Sequence, residues 1–424
     1  MRRGWLWLLL LVAASVSLGL WLAVPHLVAC HHWRAAQAAM DRYHSAEALD
    51  HLHACLEAWP GSARAHLLAC RSARRLGNLA EAKEHLYDCQ RLEDKASPEC
   101  ELEVALLGAA SGDLETVESY LETWLRDHPA EAPLAWEALA EGYLRVYRVP
   151  DALRCLDLWL RRQPDNPQAL FLRAKVARQL GSPRRALPDY RRVVEIDSER
   201  AEARRLLALC LLELGQLNEA AAELEILRRH QPDDPELLAG LARCQGKLGR
   251  FGPARQTLAR ALSRDPKYGP ALRTRGLLAL WEKQPADAEV WLRRTLEALP
   301  HDYEAHFVLS QALQQQGKTA AAEAQARIAE NLKRRLERLD EIKRSFMAQH
   351  PRDPEAHYEL GTLLLSLGHT EVGRDWLLSA LRLDPDYRPA HAALAEYFAA
   401  ANDIEQAEAH RARALGDTPK SPRP

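Results

Sequence analysis

The sequence predicts an all-α solenoid of about eleven helix–turn–helix units preceded by one membrane-spanning helix, and three observations carry that prediction. One pattern returns from starts at 29, 63, 98, 133, 167, 201, 235, 269, 303, 354 and 388, and five consecutive intervals equal 34 residues. Small residues hold the eighth place of each unit, as in Ala140, Ala174, Ala208 and Ala242, and, Val117 apart, the twentieth, as in Ala152, Ala186, Ala220 and Ala254. An uncharged run of twenty residues, Trp5 to Val24, precedes the first unit.

Residues 1–28 are read as an amino-terminal signal anchor. The run from Trp5 to Val24 is long enough to cross a bilayer as a helix, and Trp5, Trp7 and Trp21 sit near its ends, where indoles favour the interface. It exceeds the usual apolar core of a cleaved signal. A second reading stays open, because Leu27-Val28-Ala29-Cys30 resembles a bacterial lipobox and would put lipid on Cys30. Arg2 and Arg3 favour a cytoplasmic amino terminus with the repeats outside the cytoplasm, and Arg34 and Arg42 oppose that bias.

From 29 to 414 each unit carries two stretches of helical periodicity. In the sixth, Leu207, Ala208 and Leu211 mark a first helix, Gly215 breaks it, and Ala220, Leu224 and Leu227 mark a second before Pro232 closes the unit. Glycine recurs at the break, as Gly77, Gly112, Gly181, Gly249, Gly317 and Gly368, where a left-handed cap suits a residue without Cβ. Small residues at places eight and twenty let the paired helices approach closely. One pair buries too little to stand alone, so neighbours must stack.

These units resemble tetratricopeptide repeats, and the fourth gives the fullest match in Trp136, Leu139, Ala140, Tyr143, Ala152, Leu156 and Pro164. The resemblance covers nearly everything after residue 28. It implies a right-handed superhelix whose inner wall is built from the first helix of each pair and grips a peptide or a protein surface. It also implies that places two, five, nine, twelve and thirteen line that wall, which assigns Lys175, Arg178, Arg205, Arg243, Lys247 and Arg273 to a partner groove. Arg71, Arg74 and Arg75 fall at such places in the second unit, and Glu137, Glu141 and Glu213 supply acidic members. A run of cations there suits an acidic or carboxylate-bearing protein segment. The family's carboxylate clamp is not supported, since no asparagine occupies places five and nine.

Composition bounds the rest. The 424 residues include 57 Lys and Arg against 59 Asp and Glu, a net charge of -2 that argues against nucleic acid as a general partner. Catalytic and cofactor motifs are lacking. Gly240, Gly246 and Lys247 nearly spell a phosphate loop, but the spacing is wrong and the segment belongs to a repeat helix. A metal site is not expected either. His32, His66, His306, His357 and His391 all fall at place four, whole repeats apart, while His51 and His53 point to different faces of one helix. Eight cysteines show no metal-ligand spacing, and Cys55, Cys70 and Cys89 fall at packing positions; a disulfide among those three is the rival to plain core packing.

The ninth interval is 51 residues, a unit and a half. With no proline between Thr319 and Gln349, the second helix of unit nine is expected to run on through an insertion at about 334–350, with one apolar stripe including Leu336, Leu339, Ile342 and Phe346. Those four form a candidate partner seam if the stripe is exposed. Residues 415–424 read as a disordered tail. The sequence thus points to a membrane-tethered scaffold that binds a protein segment in its groove, without catalysis, cofactor or metal. The alternative is a structural or accessory subunit of a membrane-associated assembly or enzyme complex, contacting through the long helix and the outer face.

Overall fold

A computed structural model describes residues 26–93, 97–146, 148–343 and 352–416, and among them it contains twenty-two α-helices and no strand. The helices alternate as first and second members of eleven pairs. They are α1 (26–41) with α2 (Ser45–Ala58), α3 (Ala63–Leu76) with α4 (Leu79–Leu92), α5 (Pro98–Ser111) with α6 (Leu114–Asp127), and α7 (Ala132–Arg145) with α8 (Val149–Arg162). Next come α9 (Pro167–Gln179) with α10 (Pro183–Ile196), α11 (Ala201–Glu213) with α12 (Leu217–His230), α13 (Pro235–Lys247) with α14 (Phe251–Arg264), and α15 (Gly269–Trp281) with α16 (Pro285–Ala298). The last are α17 (Tyr303–Gln315) with α18 (Thr319–Glu341), α19 (Pro354–Ser366) with α20 (Thr370–Leu383), and α21 (Arg388–Ala400) with α22 (Ile404–Leu415). Every first helix from α3 onward begins within one residue of a repeat start read from the sequence.

The small-residue columns are the closest approach of each pair. Ala48, Ala82, Ala152, Ala220, Ala254 and Ala288 are fully buried. A Cβ built on Gly276, at place eight, would lie 2.7 Å from Leu292 Cγ, and one on Gly361 would lie 2.9 Å from the Gly373 carbonyl oxygen at place twenty. Val117 is the one bulky residue in the second column, and Gly108 makes room for it, since a Cβ there would lie 2.8 Å from Val117 Cγ1. The turn between paired helices needs a left-handed residue at place fifteen. Gly77, Gly112, Gly181, Gly215, Gly249, Gly317 and Gly368 all have positive φ, and Tyr43, Lys283 and Asn402 adopt φ 60 at the same place in units that lack the glycine.

The chain divides into two compact units, one of Met1–Arg173 with Arg192–Arg200, the other of Ala174–Arg191 with Ala201–Pro424. In the amino-terminal unit the first hairpin reaches far along the chain. His44 Nε2 lies 2.7 Å from an Asp197 carboxylate oxygen, Asn166 Nδ2 donates to the Tyr43 hydroxyl at 3.1 Å, and Arg42 pairs with Glu199 at 3.7 Å. Residues 42–44 therefore meet residues 166, 197 and 199 of the same unit, a contact that no local sequence pattern announces.

Two boundaries differ from expectation. The first helix is already formed at residue 26, and Ala29 is fully buried, because the Cys55 thiol donates to the Ala29 carbonyl at 3.2 Å and Trp59 Nε1 donates to His26 Nδ1 at 2.8 Å. At the other end Leu415 closes α22 and Gly416 caps it with φ 85, so both belong to the last repeat rather than to a tail. Helix α18 runs 23 residues to Glu341 and keeps helical backbone at Ile342, passing Arg334 without a break, and the rest of the expected reach to Gln349 lies outside the described residues. The run from Trp5 to Val24 lies outside the described residues, among which no helix is long and apolar enough to cross a membrane. Residues 417–424 also lie outside them.

Candidate functional site

The six cations of the expected groove all sit on first helices of the carboxy-terminal unit, and the structure gives most of them acidic neighbours. Arg178 on α9 lies 3.5 Å from Glu213 of α11. Arg205 on α11 pairs with Asp234 at 3.2 Å and with Glu236 of α13. Arg243 on α13 reaches Glu304 of α17 at 2.8 Å, and Arg273 on α15 pairs with Asp302 and Glu304. A bond from α13 to α17 skips a whole repeat, which is possible only on a side where first helices converge. Lys175 and Lys247 are exposed and have no ion-pair partner among the described residues.

The matching side of the amino-terminal unit is more deeply ionic. Glu103 on α5 is fully buried and accepts from Arg74 Nε at 2.8 Å and Arg71 Nε at 3.0 Å. Arg75 donates from Nε at 3.0 Å and from Nη2 at 2.9 Å to Glu137 of α7, again two repeats on, while its guanidinium lies 4.5 Å over the Tyr43 ring. An open hollow of about 880 Å³ is lined here by Tyr43, Arg64, Arg71, Arg75 and Asn166 among others. The inner arginines and glutamates of the sequence reading thus neutralise one another. In the third unit, likewise, Glu118 accepts from Arg148 at 2.9 Å and from the Tyr143 hydroxyl at 2.6 Å.

Glu141, one helical turn beyond Glu137, is left with a different balance. Removal from water and the Glu137 charge push its carboxyl up to about 7, against the pull of Arg74, Arg75 and Arg145. The folded unit therefore holds a proton there that the unfolded chain releases near 4.5. Stability should fall as pH rises through that window. Wild type should lose stability relative to Glu141→Gln between about pH 5 and about pH 8, measured as urea midpoints; parallel pH curves for the two proteins would rule this out.

Two of the four residues of the expected partner seam are not available on the surface. Leu339 and Ile342 are buried, Leu336 is half-buried, and Phe346 lies outside the described residues. The reason is that α18 folds along α19: Arg338 makes a two-pronged bond to Glu359 at 2.7 and 2.9 Å, and Arg335 Nη1 donates to the Ser366 carbonyl at 3.2 Å. Cys30, the lipid site of the alternative lipobox reading, is exposed on α1. Cys55, Cys70 and Cys89 are buried free thiols pushed upward in pKa by burial, and the close sulfur pair is one the spacing did not suggest, Cys89 with Cys100 at 2.8 Å.

Histidines at place four stitch neighbouring repeats. His66, His306 and His391 each place Nε2 3.0–3.2 Å from the carbonyl of the proline that closes the preceding repeat, Pro60, Pro300 and Pro385. Each also meets the residue nineteen places on, His85, Gln325 and His410.

Family models described as tetratricopeptide repeat match residues 177–239 and 227–280 in one case and 137–199 and 342–388 in another. The chain carries tetratricopeptide repeats. Over 281 residues it is 24% identical to DnaJ homolog subfamily C member 3 of Homo sapiens, a match covering 66% of this chain and 45% of that protein. It is 27% identical over 198 residues to cellulose synthase operon protein C of Pseudomonas fluorescens, covering 45% of this chain and 15% of that one. The matches span less than half the length of these curated relatives. A tetratricopeptide repeat protein from Parabacteroides merdae aligns with 66% of this chain and 99% of its own at 15% identity, with a TM-score of 0.41. Tetratricopeptide repeats are generally non-catalytic protein-binding scaffolds, and no enzymatic family is indicated.

Proposed function

We propose that this chain is a membrane-tethered scaffold that holds an acidic protein segment along the first helices of its carboxy-terminal unit. The observation that carries the reading is the placement of Lys175 and Lys247, exposed and without ion-pair partners among the described residues, beside the part-exposed Arg178 and Arg243. Ion pairs of that exposure contribute about 0–1 kcal/mol each, so a partner's carboxylates can displace Glu213 or Glu304 at small cost. The tether is the run from Trp5 to Val24. Residues 26–29 support its retention, because cleavage ahead of Cys30 would strip His26 and the buried Ala29 from the packed first repeat. Arg2 and Arg3 favour an orientation with the repeats outside the cytoplasm, a bias that Arg34 and Arg42 oppose.

One experiment tests both parts. A photo-crosslinking residue is put at position 247, and in a separate protein at the exposed second-helix position 297, in the full-length chain, and membranes are washed in carbonate. The chain should stay with the membrane and crosslink a partner from 247, and the yield should fall as salt rises and screening shortens. Release in the wash removes the tether; adducts from 297 alone remove the groove.

A further inference from the structure

We propose that His53, Glu81 and His85 form a zinc site on the second-helix side of the first two repeats. Glu81 and His85 are four residues apart on α4 and so share one face of the helix, while His53 comes across from α2. One ligand atom from each lies within 4.8 Å of the others, and His53 Nε2 is already 3.0 Å from Glu81 Oε1. Zinc bonds of about 2.0–2.1 Å in tetrahedral array put ligand atoms about 3.3 Å apart. The half-exposed His53 side chain has the freedom to close the remaining gap.

A second observation, independent of these distances, concerns the proton on His85. The Pro60 carbonyl can only accept, so His66 donates to it from Nε2 at 3.2 Å. A neutral His66 then presents a lone pair at Nδ1, and His85 must donate to it from its own Nδ1 at 3.1 Å. That relay leaves His85 Nε2 as the unprotonated nitrogen, the form a metal requires. A histidine ligand whose other nitrogen is fixed by a hydrogen bond is the usual arrangement at zinc, and loss of such support lowers affinity about 10–100-fold. Two imidazoles and one carboxylate leave a fourth position for water or for a donor from another molecule.

The place-four histidines are a repeat apart, and His51 and His53 point to different faces of α2, so neither set by itself suggests a metal site. The proposed ligands instead stand at places twenty-five, nineteen and twenty-three, and His66 at place four acts only as their support.

The test uses the full chain in detergent, with zinc and then cobalt as probes. Equilibrium dialysis should give one tight zinc per chain in wild type. His53→Ala and Glu81→Gln should each lose it with helical content unchanged, and His66→Phe, which keeps a packing ring, should weaken it about 10–100-fold. Cobalt should show the visible bands of nitrogen and oxygen ligands and no thiolate charge-transfer band. Wild-type affinity in His53→Ala and Glu81→Gln, no tight zinc in wild type, or a thiolate band placing the metal at Cys89 and Cys100 would each overturn the proposal.

Discussion

Replacing Glu103 by alanine should lower the stability of the amino-terminal unit by about 3–5 kcal/mol, the loss expected when a buried ion pair is left with one charge. The Glu103 side chain is wholly buried between α3 and α5 and takes hydrogen bonds from Arg71 and Arg74. Arg71 keeps some contact with water, but Arg74 has none, and its Nη1 and Nη2 have no hydrogen-bond partner among the described residues. A guanidinium cannot shed its proton to escape, as a buried lysine can. Hydrogen exchange of α3 and α5 should therefore quicken, while the carboxy-terminal unit stays protected, since solenoid stability is mostly local. The double variant Arg74→Met with Glu103→Leu should recover most of the loss, because apolar groups of like volume often replace a buried pair without penalty. A loss under about 1 kcal/mol for Glu103→Ala, the range of an exposed pair, would show that water reaches the network.

The pH dependence of that pair runs opposite to that of Glu141. Burial alone would push the Glu103 carboxyl up, but Arg74 and Arg71 outweigh it and hold the carboxyl below the usual 4.5. Its contribution is complete above that value and is lost as pH falls through the depressed one. Glutamates on neighbouring first helices thus favour opposite ends of the pH range, and the difference lies in which of them has its own arginine.

Helix pairs, turn glycines and the small-residue columns were legible in the sequence because each depends on contacts within about 34 residues, the span of one repeat. Even the outlier Val117 is explained locally, by Gly108. The charge of the groove was not legible. Arg243 finds Glu304 and Arg75 finds Glu137 by skipping a repeat, so the partner's position depends on how tightly successive pairs turn. The closure of His44 on Asp197 has the same origin. Leu339 and Ile342 of the α18 stripe are buried, but an insertion has no counterpart in neighbouring repeats. Its burial against α19 could not be inferred from the period, although Arg338 and Glu359 carry the charges that fix it. The histidine cluster was missed because its members occupy three different places in two repeats, and only stacking brings those places together.

Gly142→Ala should destabilise the same unit by about 1–3 kcal/mol, the range for overpacking a close contact, and the sign is the informative part. Gly142 lies inside α7, where helix propensity alone favours alanine by about 1 kcal/mol. A Cβ there would fall on the carbonyl oxygen of Ala109 in α5, with the Ala109 carbonyl carbon at 3.0 Å and Leu114 Cδ2 at 3.1 Å. Backbone cannot swing aside as a side chain can, so α7 must move off α5. Gly252, in the first turn of α14 with nothing within 4 Å of its Cβ direction, is the control. There the same change should be neutral or stabilise by a few tenths to about 1 kcal/mol. Both proteins can be compared by urea unfolding against wild type, and a neutral or stabilising Gly142→Ala would show that α5 and α7 are not in backbone contact. The two largest effects should also be coupled. Helix α5 carries Glu103 and α7 carries Glu137, and arginines from α3 reach both, so moving α7 outward strains the network that Glu103→Ala has already broken. The double variant Glu103→Ala with Gly142→Ala should therefore lose less than the sum of the single losses, as residues sharing one network do. Strict additivity would mean that the helix contact and the ion pairs are independent supports of the inner wall.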